Sequence, residues 1–308
     1  MLIVHRPGML TTVQDLGRWG SQRFGIPVAG PMDAFAHRYA NALVANDDSA
    51  AALEITLIGP ELEADEPAVC AVTGARFAVT VNENAVPLDT AFDVPRGGRV
   101  RFGARAAGAR ATLAVRGGFD VPVSYGSRAT SLVSRIGPFG GRSLRAGDVL
   151  PVGAAPARHI VPPPNAGMPL PDRGARLRVL EGPHAAVFER SSLELLYAER
   201  FLVTPQSNRM GYRLDGPRLM HAGSSDILSD ATPIGSLQVP PSGHPILLMA
   251  DRQTTGGYPK IATVISADLP LAGQLAPGDW IEFAAVSRAE ALTALKRQQR
   301  QLQLEPWP

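Results

Sequence analysis

The sequence predicts a mainly β protein with a few helices, and three observations carry that reading. Gly and Pro number 31 and 28 of 308 residues, about a fifth of the chain, and follow no period. That density suits many turns between short strands and excludes a collagen repeat. From Leu53 to Leu150 the apolar residues fall in short runs separated by turns, many of them Gly-rich, a spacing that suits a barrel or sandwich. A proline-dense stretch over 151–174 disfavours both helix and central strand, because proline fixes φ and lacks the N–H donor.

The elements follow in order. Leu2-Ile-Val4 reads as a first strand, and a Gly/Pro-rich loop runs from Gln14 to Pro31. Asp33 is a good N-cap for a helix on which Phe35, Tyr39, Leu43 and Val44 recur at helical spacing, ending near Asn46-Asp-Asp48. Strands are expected at Leu53–Leu57, Ala68–Val72, Ala78–Val81, Arg99–Phe102 and Ala111–Val115. These observations divide the chain into an N-terminal β-rich domain over 1–153, a linker over 154–174 and a C-terminal β-rich domain over 175–308. In the last, strand character resumes at Leu177–Leu180, helical segments are expected at 184–189 and 191–199, and strands at Phe201–Val203, Ile246–Met249, Ala262–Ile265 and Trp280–Phe283. Ser287 with Glu290 forms a capping box for a final helix with an Ala291, Leu292, Leu295 stripe. A weak internal echo links Leu144-Arg-Ala-Gly-Asp-Val-Leu150 with Leu275-Ala-Pro-Gly-Asp-Trp-Ile281, each a Gly-Asp turn feeding a strand.

Composition narrows the function. Thirty basic residues against 28 acidic ones give a formal charge of +2, so bulk electrostatics do not support nucleic-acid binding. The single cysteine, Cys70, lies in an apolar run and reads as a buried structural thiol; it excludes an intrachain disulfide framework. The six histidines show no metal-ligand spacing, no metal site is expected, and neither a Walker-type phosphate loop nor a Gly-x-Ser-x-Gly elbow occurs. The apolar stretch Ile246–Ala250 is far shorter than a membrane span, and the N-terminus has no secretory pattern, so a cytoplasmic protein off the membrane is expected.

Several segments could carry chemistry. Asp251-Arg-Gln-Thr-Thr-Gly-Gly-Tyr-Pro-Lys260 follows an apolar strand, and its paired glycines allow close backbone approach to a ligand. Thr254 and Thr255 can donate and accept, Gln253 can read an amide and Lys260 can hold an anion. The alternative is a tight hairpin whose glycines supply positive φ. In Ser207-Asn-Arg-Met-Gly-Tyr-Arg-Leu214 two arginines near a Gly turn suit an oxyanion, or are solvated at a surface turn. Gln238, between Leu237 and Val239, either faces water or lines a pocket. Gly25–Asp33 is explained by the helix cap, and Gly117–Thr130, with Ser127, Arg128 and Thr130, is an anion turn or only a turn.

Jointly and in this order, stretches spread from about residue 3 to 286 resemble a known family. They are Val13-Gln-Asp-Leu-Gly-Arg18, Gly30-Pro-Met-Asp33, Asn41–Val44 with Asn46, Leu53-Glu54, Gly59-Pro60, Thr73-Gly-Ala75, Gly126-Ser-Arg128, Gly147-Asp148, Asn208-Arg-Met-Gly211, Gln238-Val-Pro240 and Asp251–Pro259. The family is the carboxyltransferase type that includes the 5-oxoprolinase C subunit, also called allophanate hydrolase subunit 2, and the carboxyltransferase domain of urea carboxylase. The resemblance implies two cyclophilin-like β-barrel domains, and a hetero-oligomer with the B-type and A-type subunits of 5-oxoprolinase as partners. That complex would use ATP to open the lactam of 5-oxo-L-proline to L-glutamate.

A lactam is a poor electrophile; phosphorylating its amide oxygen makes a good leaving group and lets water attack the ring carbon. Arg209, Gln238 and Lys260 are the candidates for holding phosphoryl charge, reading the amide and binding the carboxylate, with Asp251 orienting a base or cation. Asp33, Met210, Gln253, Thr254, Thr255, Gly256, Gly257 and Tyr258 are the candidate substrate-binding residues. Two alternatives stay open. One is carboxyl transfer to a urea-like amide, for which the biotin carrier would come from another chain, since no Ala-Met-Lys-Met site occurs here. The other is a non-catalytic regulatory binding partner. Ala29 and Ala129 depart from the family pattern, each removing a hydroxyl from its loop.

Overall fold

A computed structural model describes residues 1–157 and 167–302. Residues 158–166 of the expected linker, His159 among them, and the chain from 303 lie outside the described residues. Two compact units result: Met1–Trp19 with Ala29–Leu170, and Gly20–Val28 with Pro171–Arg300.

The first unit holds β1 (Leu2–Arg6), β2 (Leu10–Gln14), α1 (Ala34–Leu43), β3 (Ala52–Thr56), β4 (Glu61–Ala64), β5 (Ala68–Val81), β6 (Asn84–Ala85), β7 (Ala91–Val94), β8 (Arg99–Val115), the single turn α2 (Pro138–Gly141) and β9 (Val149–Leu150). Among the described residues these strands make a nine-stranded sheet in the order β2-β3-β8-β4-β1-β9, with β5 paired to β6, β7 and β8, curled into a half-barrel. The mainly β expectation holds. Two pairs of runs expected as separate strands prove to be the ends of single ones: Ala68–Val72 and Ala78–Val81 belong to β5, Arg99–Phe102 and Ala111–Val115 to β8. The apolar pattern lapses where β8 is exposed, around Gly103–Ala106, and where β5 bulges between Gly74 and Val79. Beyond that lapse β8 changes neighbours, pairing Arg99–Arg101 with β4 and Arg110–Leu113 with β3. The core between these strands includes Leu2, Leu53, Leu62, Val72, Val100 and Leu113. Cys70 is fully buried there, and burial pushes its thiol up to about 12.

Asp33 Oδ1 accepts the Ala36 N–H at 2.8 Å, the expected N-cap of α1. The helix lies close on the sheet because the contact is made of small side chains, Ala40 and Val44 against Ala52, Ala71 and Ala114. Its polar residues are buried too. Asn46 donates to Asn41 Oδ1 at 3.0 Å and to the Val115 carbonyl at 2.8 Å, and Thr73 Oγ1 donates to the Ala36 carbonyl at 2.7 Å. His37 is enclosed here, and burial, the largest cause, brings it from 6.5 down to about 4.

The second unit holds β10 (Gly174–Glu181), α3 (Arg190–Ala198), β11 (Phe201–Val203), β12 (Gly211–Asp215), β13 (Asp230–Ala231), β14 (Ser236–Gln238), β15 (Ile246–Leu248), β16 (Thr255–Gly256), β17 (Lys260–Val264), α4 (Leu269–Gly273), β18 (Trp280–Ala285) and α5 (Arg288–Gln301). Among the described residues seven strands close a barrel in the order β10-β17-β14-β15-β12-β11-β18, and β13 pairs with β16 outside it. The seam is a parallel pairing of the first and last strands, Gly174↔Trp280 through Val179↔Ala285. A Cβ at Gly174 would stand 2.3 Å from the Trp280 indole, so only glycine fits there. No helix among the described residues is long and apolar enough to cross a membrane.

The internal echo is one turn built twice. Asp148 Oδ2 accepts the Arg145 N–H at 2.7 Å and Asp279 Oδ2 the Ala276 N–H at 2.8 Å. The Asp148 N–H returns to the Arg145 carbonyl at 3.1 Å and the Asp279 N–H to the Ala276 carbonyl at 3.0 Å. Gly147 and Gly278 have φ of +87° and +93°, so neither position suits a side chain. The capping box of α5 is present: Ser287 N–H donates to Glu290 Oε2 at 2.7 Å, and Glu290 N–H to Ser287 Oγ at 3.3 Å. The expected stripe of α5 is not buried; no described residue of that helix is, and Leu292 is 48% exposed.

Two outcomes are expected. Gly174→Ala forces the Trp280 indole out of the seam and lowers unfolding free energy by about 1–3 kcal/mol, read by chemical denaturation. For His37 the folded state holds its proton less tightly than the unfolded chain. Stability is therefore complete above pH 6.5 and falls as pH drops toward 4, by up to about 3 kcal/mol. His37→Gln should flatten that part of the stability–pH curve relative to wild type.

Candidate active site

The loop 251–260 is set by a buried ion pair at its base. Asp251 N–H donates to the Arg209 carbonyl at 2.8 Å and Met249 N–H to the Met210 carbonyl at 2.9 Å, which clips the chain after β15 to the turn before β12. Across the clip, Arg209 Nε and Nη2 donate to Asp251 Oδ2 and Oδ1 at 3.1 and 3.0 Å. The side chains are 3% and 1% exposed. This is a two-pronged guanidinium–carboxylate pair shielded from water. The guanidinium turn is therefore neither a solvated surface turn nor an open oxyanion cradle: Arg209 spends its fork on Asp251. Asn208 Oδ1 accepts the Met210 N–H at 2.8 Å and holds the turn, with Met210 half-buried.

Gln238 ends β14, at a bulge, in register with Lys260 of β17. Of its two open readings, the inward one holds: it is 2% exposed. Its Oε1 accepts from Gln253 Nε2 at 3.1 Å and its Nε2 donates to the Tyr258 carbonyl at 3.4 Å. A Cβ at Gly256 would lie 2.6 Å from Gln238 Nε2 and 3.2 Å from Gln253 Nε2. The missing side chain thus admits the two amides. Neither Gly256 nor Gly257 has positive φ, which removes the tight-hairpin explanation for them. Gly256 instead pairs with Asp230, and Gly257 accepts the Ile227 N–H at 2.9 Å.

Lys260 is 1% exposed, yet its Nζ makes no hydrogen bond among the described residues; its charge meets Asp230 Oδ2 in an ion-pair contact at 3.2 Å. Asp230 is half exposed, and Lys260 lowers the proton affinity of its carboxyl. His184 Nδ1 lies 3.3 Å from the Lys260 N–H; burial, then the Lys260 charge, lowers its pKa. Arg252, beside Asp251 in sequence, is 8% exposed and donates from Nε to the Thr232 carbonyl at 2.6 Å. Burial pulls its guanidinium down to about 10. Thr232 Oγ1 in turn donates to the Gln253 carbonyl, and its N–H to the Thr254 carbonyl at 3.1 Å.

The structure therefore brings Gln238, Gln253, Gly256 and Lys260 together, with Arg209 and Asp251 beneath them as a brace. Thr255 and Tyr258 stand exposed and Thr254 half-buried at the loop's rim, and the hydroxyls of Thr254 and Thr255 make no hydrogen bond among the described residues. Asp33 lies in the first unit as the cap of α1. Arg252, Thr232, Asp230 and His184 do not stand out in the sequence. The only local feature of Arg252 is that it stands two residues past the apolar run Ile246–Ala250. Open clefts of about 270 Å³ (Thr204, Arg213, Asp215, His244) and about 300 Å³ (Arg6, Glu61, Arg101, Phe102) do not include the loop. No cluster of three or more His, Cys, Asp or Glu that could hold a metal occurs among the described residues.

Residues 24–285 match the family described as carboxyltransferase domain, subdomain A and B. The chain belongs to the carboxyltransferase-domain family. It is 40% identical over 307 residues to the 5-oxoprolinase C subunit of Escherichia coli, covering 100% of this chain and 98% of that one. It is 34% identical to urea amidolyase of Saccharomyces cerevisiae, covering 95% of this chain but 17% of the relative. The crystal structure of Kluyveromyces lactis urea carboxylase superposes with a TM-score of 0.93 at 32% identity, covering 100% of this chain and 30% of that one. In this carboxyltransferase-family chain the N-terminal matching stretches serve as loop fasteners. Asp15 accepts from Gly17 N–H at 2.9 Å, from Ser127 Oγ at 2.5 Å and from Arg128 N–H, and Glu54 Oε2 accepts the Met32 N–H at 2.6 Å. Ala29 has φ of +57°, a left-handed position that Asn or Gly would occupy at less cost.

Arg209→Ala would strand the Asp251 carboxylate in the interior. It should cost about 3–5 kcal/mol of stability, read by denaturation, so the isolated variant loses folding before it loses any step of chemistry.

Proposed function

We propose that this chain is one component of a cytoplasmic ATP-dependent 5-oxoprolinase complex, working with A-type and B-type partner subunits to open the lactam of 5-oxo-L-proline to L-glutamate. One observation carries the reading: the side-chain amides of Gln238 and Gln253 meet at 3.1 Å at the strand position paired with the buried Lys260. A lactam offers one N–H and one C=O. After their mutual hydrogen bond, the two glutamines keep an acceptor on Gln253 and donors on both, a set that complements that pair. Lys260 brings donors without hydrogen-bond partners to an anionic oxygen. The 40% identity to a 5-oxoprolinase C subunit over the whole chain supports the same substrate class.

In the reaction the lactam oxygen takes the γ-phosphoryl group of ATP and ADP leaves. Water then adds to the activated carbon, and the ring C–N bond breaks with a proton passing to nitrogen, which leaves a γ-glutamyl phosphate; a second water attacks that acyl phosphate and releases glutamate and inorganic phosphate. The residues of this chain hold and orient the amide and screen charge as it moves to oxygen. ATP is assigned to the complex, because the sequence has no phosphate loop and the loop's own cations suit a small anion. Thr254, Thr255, Gly257, Tyr258 and Met210 would wall the pocket, and Asp251 acts through Arg209 as the brace.

A second reading is favoured by the 0.93 TM-score to urea carboxylase: carboxyl transfer to a urea-like amide, with biotin on another chain. The two separate on co-purification with the A-type and B-type partners. ATP hydrolysis dependent on 5-oxoproline supports the first. Hydrolysis dependent on urea and a biotin carrier supports the second, and neither would leave a regulatory binding partner. Lys260→Met and Gln238→Ala should each reduce turnover of the assembled complex by about 100-fold with cooperative unfolding retained. Near wild-type turnover in both overturns the assignment of the site.

A further inference from the structure

The geometry points to Arg252 as a carboxylate anchor of this site, holding the acid group of the small cyclic amide; the identity of that amide rests on the lactam reading above. Among the described residues the guanidinium makes one hydrogen bond, from Nε to the Thr232 carbonyl at 2.6 Å, and no carboxylate pairs with it. Several of the chain's other enclosed or half-buried arginines are held by carboxylates. Arg209 pairs with Asp251, Arg178 with Asp268, Arg142 with Asp148 and Arg38 with Asp48. Burying a cation without a counter-charge is costly, and a protein keeps one where the counter-charge arrives with a ligand.

The surroundings define what that ligand is. Thr232, the acceptor for Arg252, also bonds to the backbone of Gln253 and Thr254, and its Cγ2 lies 3.2 Å from where a Gly256 Cβ would stand. Two residues earlier Asp230 meets Lys260. Arg252 and Lys260 thus hold the two ends of the short segment Asp230–Thr232, a chain length of about 7 Å. The paired amides of Gln238 and Gln253 belong to the same cluster. Asp230 offsets one of these two cations, and Asp251 is already committed to Arg209, so one positive charge remains. That balance suits a monocarboxylate carrying an amide, which the two glutamines read while Arg252 takes the acid in its fork.

The test uses the purified full-length chain. Thermal unfolding and calorimetric titration would be run with 5-oxo-L-proline, with acetate as a bare carboxylate, and with 2-pyrrolidone as the lactam lacking the acid. Wild type should be stabilised by 5-oxo-L-proline and more weakly by acetate. Arg252→Lys, which keeps the charge but not the fork, should weaken 5-oxo-L-proline about tenfold, and Arg252→Met should abolish both carboxylate responses. The response to 2-pyrrolidone should not change in either variant. Unliganded Arg252→Met should unfold no earlier than wild type, because it removes an uncompensated buried charge. A carboxylate response that survives in Arg252→Met, or none in wild type, overturns the assignment. An Arg252-dependent response to acetate with no preference for the lactam acid keeps the anchor and overturns the lactam reading instead.

Discussion

The geometry of the candidate site depends on one interaction, the two-pronged pair between Arg209 and Asp251. Its position decides its effect. Asp251 lies three residues past the end of β15, where the chain has left the barrel wall, and Arg209 sits in the turn that enters the neighbouring strand β12. Locking the two fixes the direction in which Arg252 and Gln253 depart, and therefore where the loop meets Thr232 and Gln238. Water-exposed ion pairs are worth little, but one with both members enclosed holds its geometry, since neither charge can exchange the other for water.

Above that brace the cluster sorts its charges by exposure. Lys260 and Arg252 are buried, whereas Asp230 is half in water. Ordinary packing would put the lysine outside and the carboxylate with it. In this reversed arrangement the cations sit in a poorly solvated wall, where a charge attracts a negative group more strongly than one already hydrated. Glycine completes the arrangement by omission. At Gly256 the absent side chain is what allows two glutamine amides to approach each other.

Much of this is legible in the sequence wherever a feature is local. The Asp33 cap and the Ser287–Glu290 box are decided by residues three apart, and both form as expected. The family resemblance holds because it rests on the order of many short stretches. What does not show depends on residues far apart in sequence. The long strands β5 and β8 read as broken because their middle residues are exposed or bulged and lose alternation, although their ladder pairs hold them continuous. The apolar face of α5 predicts burial that the described residues do not supply. Arg209 looks like a ligand cation because its counter-charge is 42 residues away. Arg252 escapes notice for the converse reason: nothing local reveals that a cation lacks a counter-charge.

The seam between Gly174 and Trp280 bears on how the barrel is made. The strand that opens the second unit finds one of its two neighbours only in the strand that ends it. While a ribosome is still extending the chain, β10 therefore keeps a bare edge with unpaired amides until residue 285 has emerged. Throughout that interval the nascent chain offers a template to any other strand it meets. The narrow fit of the indole over glycine then works as a gate on assembly, admitting the proper last strand in one register.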